Sequence, residues 1–187
     1  MGSRKLDPGY FTEKDLYDLD FKKIGSNVSI SKNSTFIGTE NISIGNNVRI
    51  DGNVTFAAKS GLISIGDYIH IGSCSHINGI GEVHIHDYCT ISQGVRIYSA
   101  IDDFSGETHT GPMVSSNLRK IVSGKVILNK YVVIGSGSVI LPSTEIGVGT
   151  AVGALSLVKK NLKDWSIYAG IPVRKVGSRS KNLLSLQ

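Results

Sequence analysis

Five histidines, His70, His76, His84, His86 and His109, are the side chains of this sequence best suited to moving a proton near neutral pH. The adjacent acids Asp102 and Asp103 could orient such a base, meet hydroxyl groups, or cap a turn at Ser105-Gly106. Between Val158 and Gln187 seven basic residues face a single acid, Asp164, and Lys159, Lys160 and Arg174 are the members able to make charge-assisted bonds to phosphate. Cys74 and Cys89 form no disulfide framework and lack the C-x-x-C spacing of a metal site. Neither is expected to be a nucleophile, since Cys89 falls at an inward position and Cys74 has no local activating group.

These residues sit in a chain of 187 residues, 40% of them hydrophobic, which is enough for one core and too little for two ordinary domains. No apolar run reaches the length of a membrane span and the first residues lack a signal-peptide core, so a soluble cytoplasmic protein without membrane insertion is expected. The net charge of +5 is concentrated toward the C-terminus. That segment has no interleaved aromatics and no nucleic-acid motif, so a small phosphorylated ligand is expected there and nucleic acid is not.

The elements that must position these side chains announce themselves by a period of six. Large apolar residues recur as Ile24, Ile30, Phe36; Ile44, Ile50, Phe56; Ile65, Ile71, Ile77; Ile85, Ile91, Ile97; Leu128, Ile134, Ile140; and Ile146, Val152, Val158. Where the step lengthens, it does so only after a third member, to 8 or 9 residues and once to 31. Three six-residue units per coil describe a triangular prism with the anchors stacked inside it and insertions gathered at one corner. Four residues after each anchor the interior demands something small or β-branched, and Val28, Ser34, Val48, Val54, Ser75, Cys89, Ser138, Thr144 and Thr150 comply. Gly, Asn, Asp and Ser after the anchors suit tight corners. A β-sandwich would show a period of two instead.

An all-β parallel β-helix is therefore predicted over residues 22–160, with an inserted loop at 98–125. Residues 1–21 form an N-terminal cap containing a short helix over Thr12–Phe21, with Thr12 as N-cap and Glu13 and Asp15 in its first turn. Residues 161–187 form a C-terminal segment that closes or flanks the other end.

The repeats Ile134-Gly135-Ser136-Gly137-Ser138 and Val152-Gly153-Ala154-Leu155-Ser156, followed by Tyr168-Ala169-Gly170-Ile171-Pro172-Val173-Arg174, resemble the hexapeptide-repeat acyltransferases of the galactoside, maltose and polysaccharide O-acetyltransferase group. The resemblance covers roughly residues 24 to 177. It implies a left-handed β-helix, a homotrimer with active sites between subunits, and acetyl-coenzyme A as cosubstrate with no metal. It also implies that Gly135, Ser136, Gly153 and Ala154 line the pantetheine arm, while Lys159, Lys160 and Arg174 hold coenzyme phosphates.

Acyl transfer from a thioester requires a base for the attacking group and donors for the oxyanion. The group's His-Pro pair in the loop leaving the third face is replaced here by Tyr98-Ser99-Ala100-Ile101-Asp102-Asp103. His70, placed outward at a corner just before the anchor Ile71, is the preferred base, oriented by a loop aspartate, with backbone amides near Gly135 or Gly153 for the oxyanion; His109 on the loop is the second choice. His76, at the equivalent corner, and Asp102 and Asp103 are expected to contact the acceptor; His84 and His86 are read as surface residues. The expected reaction is O-acetylation of a sugar hydroxyl in the synthesis of a bacterial surface polysaccharide. The alternative is N-acetylation of a nucleotide-linked amino sugar. A γ-class carbonic anhydrase, which shares the prism and binds zinc through three histidines, is disfavoured by spacing and by the C-terminal signature.

Overall fold

The computed structural model describes residues 8–186, so the first seven residues of the expected 1–21 segment lie outside the described residues. The chain winds as a left-handed parallel β-helix with three flat faces. The first face is built from Lys23–Ile24, Ile42–Ile44, Ile63–Ile65, Val83–Ile85, Val126–Leu128 and Thr144–Ile146. Val28–Ile30, Val48–Ile50, Ile69–Ile71, Thr90–Ile91, Val133–Ile134 and Ala151–Val152 form the second, and Thr35–Ile37, Thr55–Ala57, His76–Asn78, Arg96–Tyr98, Val139–Ile140 and Leu157–Val158 the third. The pairing is parallel and in register between equivalent anchors, as in Ile50 with Ile71 and Ile71 with Ile91.

Burial follows the six-residue period. Every anchor from Ile30 onward is buried except Phe36, and the small residues four positions after the anchors are buried from Val48 onward. Removing an isoleucine side chain from water contributes about 1.5–3 kcal/mol, so the stacked columns are the main source of stability. At the N-terminal end the first coil has no neighbour, and Ile24, Val28 and Phe36 are only partly buried. A helix over Glu13–Tyr17, shorter than expected and closed by a capping box between Thr12 and Asp15, places buried Leu16 over that end. Phe21 meets Phe36 edge-on at 5.2 Å, and Phe36 stacks on Phe56 at 4.9 Å.

The corner between the first and second faces differs from the sequence expectation. The left-handed backbone conformation falls three residues after the anchor, at Asn27, Asn47, Tyr68, Tyr88, Tyr131, Gly149 and Trp165. Large aromatics tolerate it there because they stack along the axis: Tyr68 on Tyr88 at 4.8 Å, Tyr88 on Tyr131 at 5.2 Å, and Tyr131 toward Trp165 at 6.4 Å. Gly149 has no side chain because a Cβ there would lie 2.5 Å from the Trp165 ring. Side chains two residues after the anchors cap the neighbouring coil, with Oδ1 of Asp67 accepting from the amide of Asn46 and Oδ1 of Asp87 from that of Asp67.

The segment after Asn161 continues the helix before it closes it. Leu162, Ser166 and Tyr168 repeat the anchor, small residue and anchor pattern, and all three are buried. Ser166–Ala169 extends the second face beside Ala151–Val152, and Arg174–Ser178 returns antiparallel to it. The long insertion is also ordered by backbone pairing, since Ala100–Asp102 and Ile121–Ser123 form an antiparallel pair at its base.

Candidate active site

His70 lies in the middle strand residue of Ile69–Ile71, facing outward from the second face and not at a corner. Its Nε2 is 2.8 Å from Oδ2 of Asp51, one coil earlier, while Oδ1 of Asp51 accepts from Nε of Arg49 at 2.8 Å. The orienting carboxylate is thus Asp51 and not a loop aspartate. Partial burial raises the Asp51 pKa, but hydrogen bonds from His70 and Arg49 outweigh it and the net shift is downward. A carboxylate on Nε2 leaves Nδ1 as the proton acceptor of a neutral, half-exposed imidazole.

His76 faces outward from the adjacent third face, also away from a corner, beside the Tyr98 ring at 5.6 Å. Burial first, and then the charge of Arg96, lowers its pKa. His84 faces out from the first face and pairs with Glu82 at 3.1 Å. His109 is in the loop, where its amide donates to the carbonyl of Leu118. The structure therefore places His70, His76 and His109 in three different settings and brings none of them together.

The two aspartates separate in role. Asp103 is buried, and its carboxylate accepts from the amides and hydroxyls of Ser105 and Thr108. The Ser105 hydroxyl, followed by its amide and then Thr108, holds the carboxyl down at about 2. Asp103 braces the loop, and both its oxygens are engaged within it. Asp102 instead lines a cleft at the third corner, where the chain leaves the third face for the first, with Asn78, Tyr98, Phe104, Arg119 and Ile121. Arg119 also lines the opposite side of the loop with Glu107 and His109, and its Nε is buried without a hydrogen-bond partner. Nothing in the linear sequence marks Arg119, whose setting arises only from the loop's folding.

The C-terminal basic residues do converge. Lys159 and Lys160, leaving the third face, share a pocket with Pro172, Val173 and Arg174, which is held there by the Val173 amide donating to the Leu157 carbonyl. Gly135, Ser136, Gly153 and Ala154 line a different corner, between the second and third faces. The amides of Gly135 and Gly153 donate to the carbonyls of Val152 and Tyr168, so neither is available to an oxyanion. Ser136 and Ala154 are exposed residues, and their amides have no acceptor among the described residues. No group of three or more His, Cys, Asp or Glu side chains is placed to hold a metal ion, and no helix is long and apolar enough to cross a membrane, among the described residues.

The chain is 46% identical over 178 residues to a dTDP-4-amino-4,6-dideoxy-D-glucose acyltransferase from Escherichia coli, covering 95% of this chain and 93% of that protein. It superposes with a TM-score of 0.92 on a variant of AntD, an N-acyltransferase from Bacillus cereus, in complex with dTDP-4-amino-4,6-dideoxyglucose and coenzyme A; the identity is 39% and the coverage 97% and 95%. A hexapeptide-repeat acetyltransferase from Vibrio cholerae, complexed with acetyl-coenzyme A, shares the fold at a TM-score of 0.61 and 20% identity, with coverage of 91% and 80%. No family model matches the sequence. The six-residue repeat, the three-faced prism and the similarity over nearly the whole chain together establish that this protein belongs to the hexapeptide-repeat, left-handed β-helix acyltransferase family.

Proposed function

We propose that this acyltransferase moves an acyl group from an acyl-coenzyme A, acetyl-coenzyme A in the simplest case, to the amino group of a dTDP-linked 4-amino-4,6-dideoxy sugar. The observation that carries this reading is the similarity to the Escherichia coli enzyme over 95% of the chain, supported by the AntD complex containing such a sugar. Nitrogen therefore replaces the hydroxyl oxygen expected from the sequence as the attacking atom. A diphosphate-linked sugar is an activated donor for glycosyl transfer, which keeps surface-polysaccharide synthesis as the proposed setting. Both substrates are membrane-impermeant anions, which favours the cytoplasm.

In the reaction, the neutral amine attacks the thioester carbonyl, the C–N bond forms and the C–S bond breaks. The proton lost by nitrogen passes to a base and returns to the coenzyme thiolate. We assign the base role to His70, whose Nε2 is fixed by Asp51, with His109 as the second candidate. Lys159, Lys160 and Arg174 hold coenzyme phosphates, and the unengaged amides of Ser136 and Ala154 are donors for the pantetheine arm or the oxyanion. His76 and Asp102 face the acceptor. The second face, bearing His70, lies across the prism from the third corner, where the loop cleft and basic pocket sit. Uniting them requires a neighbouring copy, which supports the expected trimer.

The test is thiol release from acetyl-coenzyme A with dTDP-linked amino sugars, free sugars and galactosides, using the wild type, His70→Ala and His109→Ala. Release with the amino sugar, abolished in His70→Ala alone, supports the assignment. Sedimentation as a monomer during turnover would contradict the shared site.

A further inference from the structure

The loop 98–125 carries a single arginine, Arg119, whose side chain makes no hydrogen bond or ion pair among the described residues. Its Nε is buried and makes no hydrogen bond, and no ion pair reaches it among the described residues. Charged groups do lie on the elements around it. Asp102 lines one side of the loop with it, and Glu107 and His109 line the other, with Lys120 next in sequence. Asp103, the remaining loop acid, is engaged by Ser105 and Thr108. A guanidinium carries five N–H donors in a rigid fork suited to phosphate oxygens, and a buried donor without an acceptor is costly. Such a site is completed by an acceptor from outside the chain.

The cleft also indicates what else that ligand bears. Asp102 is paired in register with Ile121, two residues after Arg119, so a carboxylate and a guanidinium line the same cleft without bonding each other. Phe104, 87% exposed, adds a flat apolar ring beside them. A sugar bearing an amine and joined through a diphosphate to a planar base presents the complementary set. We infer that Arg119 binds the diphosphate of the nucleotide-linked acceptor and thereby places the sugar amine toward Asp102. The inference rests on the acceptor class proposed above. Coenzyme A also contains a diphosphate, but the pocket of Lys159, Lys160 and Arg174 lies two coils further along the same corner and shares no lining residue with this cleft.

Calorimetric titration of the full chain with dTDP and, separately, with coenzyme A distinguishes the two sources for the wild type, Arg119→Gln and Arg119→Lys, each checked for an unchanged melting temperature. The expected result is a dTDP affinity weakened by about tenfold or more in Arg119→Gln, partly recovered in Arg119→Lys, with coenzyme affinity unchanged and the acceptor KM raised more than kcat falls. Loss of coenzyme binding instead would overturn the inference by assigning Arg119 to the donor. Unchanged dTDP binding in Arg119→Gln, with a wild type that acylates the dTDP-linked amino sugar, would overturn it while leaving the proposed function standing. A wild type that binds no dTDP would remove both.

Discussion

His70 and Asp51 meet at 2.8 Å across consecutive coils of the second face, an arrangement that no local sequence motif encodes. The register of parallel strands sets it, because Arg49 pairs with His70 and Asp51 follows two residues later. If the dyad supplies the base, His70→Ala lowers kcat/KM by about 10²–10⁴-fold, and Asp51→Asn lowers it less while leaving coenzyme binding unchanged. Steady-state kinetics and coenzyme titration check both. Asp51 has a pKa lowered on folding, so its stabilising contribution is present above the ordinary aspartate value of about 3.9 and is lost as pH falls through the folded value.

The Asp103 brace makes a second pH-dependent prediction. Its folded pKa of about 2 lies below the unfolded value, so the brace holds fully above about pH 3.9 and is lost as the pH falls toward 2. Asp103→Ala is expected to speed proteolysis within residues 98–125 at neutral pH and to raise the acceptor KM, while leaving coenzyme affinity near the wild-type value. Equal proteolysis rates would show that the loop holds without it.

The two cysteines should differ sharply in reactivity. Cys89 is buried, its thiol donates to the Asn129 carbonyl at 3.1 Å, and burial pushes its pKa up to about 12. Cys74 is exposed at a corner. A thiol reagent at pH 8 is expected to modify Cys74 alone in the native protein and both after unfolding, and Cys74→Ser is expected to retain activity. Inactivation of Cys74→Ser would reinstate a covalent route through that thiol.

At the aromatic corner, Gly149→Ala forces a Cβ into the left-handed region at φ 65° and against the Trp165 ring. The expected cost is about 1–3 kcal/mol. Trp165 is the chain's only tryptophan, so denaturant unfolding followed by its fluorescence reads both the lost stability and a changed native spectrum.

Much of this architecture is legible in the residues themselves. The spacing of Ile44, Ile50 and Phe56 and their successors defines the prism, because stacking leaves no freedom in which residues face inward. Leu162, Ser166 and Tyr168 repeat the same pattern but fall beyond the last full triplet, so the seventh, partial coil is easily missed. The site is less legible, because its partners come from different coils. Asp51 reaches His70 through strand register, and Arg119 acquires its setting only when Ala100–Asp102 pairs with Ile121–Ser123. Asp102 and Asp103 look equivalent in sequence, yet turn bonding absorbs one and leaves the other lining the cleft. Lys159, Lys160 and Arg174 line one pocket, whereas Gly135 and Gly153 occupy a corner across the third face from Lys159 and Lys160. The proposed preference for nitrogen over oxygen depends on the atom presented by the ligand and is not encoded in the repeat.

The most direct measurement is a comparison of two acceptors differing at one atom: dTDP-4-amino-4,6-dideoxyglucose and its counterpart with a hydroxyl at the same carbon, each incubated with acetyl-coenzyme A. Stoichiometric thiol release is expected with the amine alone, with a product whose acyl group, by NMR, is an amide at that carbon. Release with the hydroxyl compound at an equal or greater rate, yielding an ester, would contradict the proposed N-acylation.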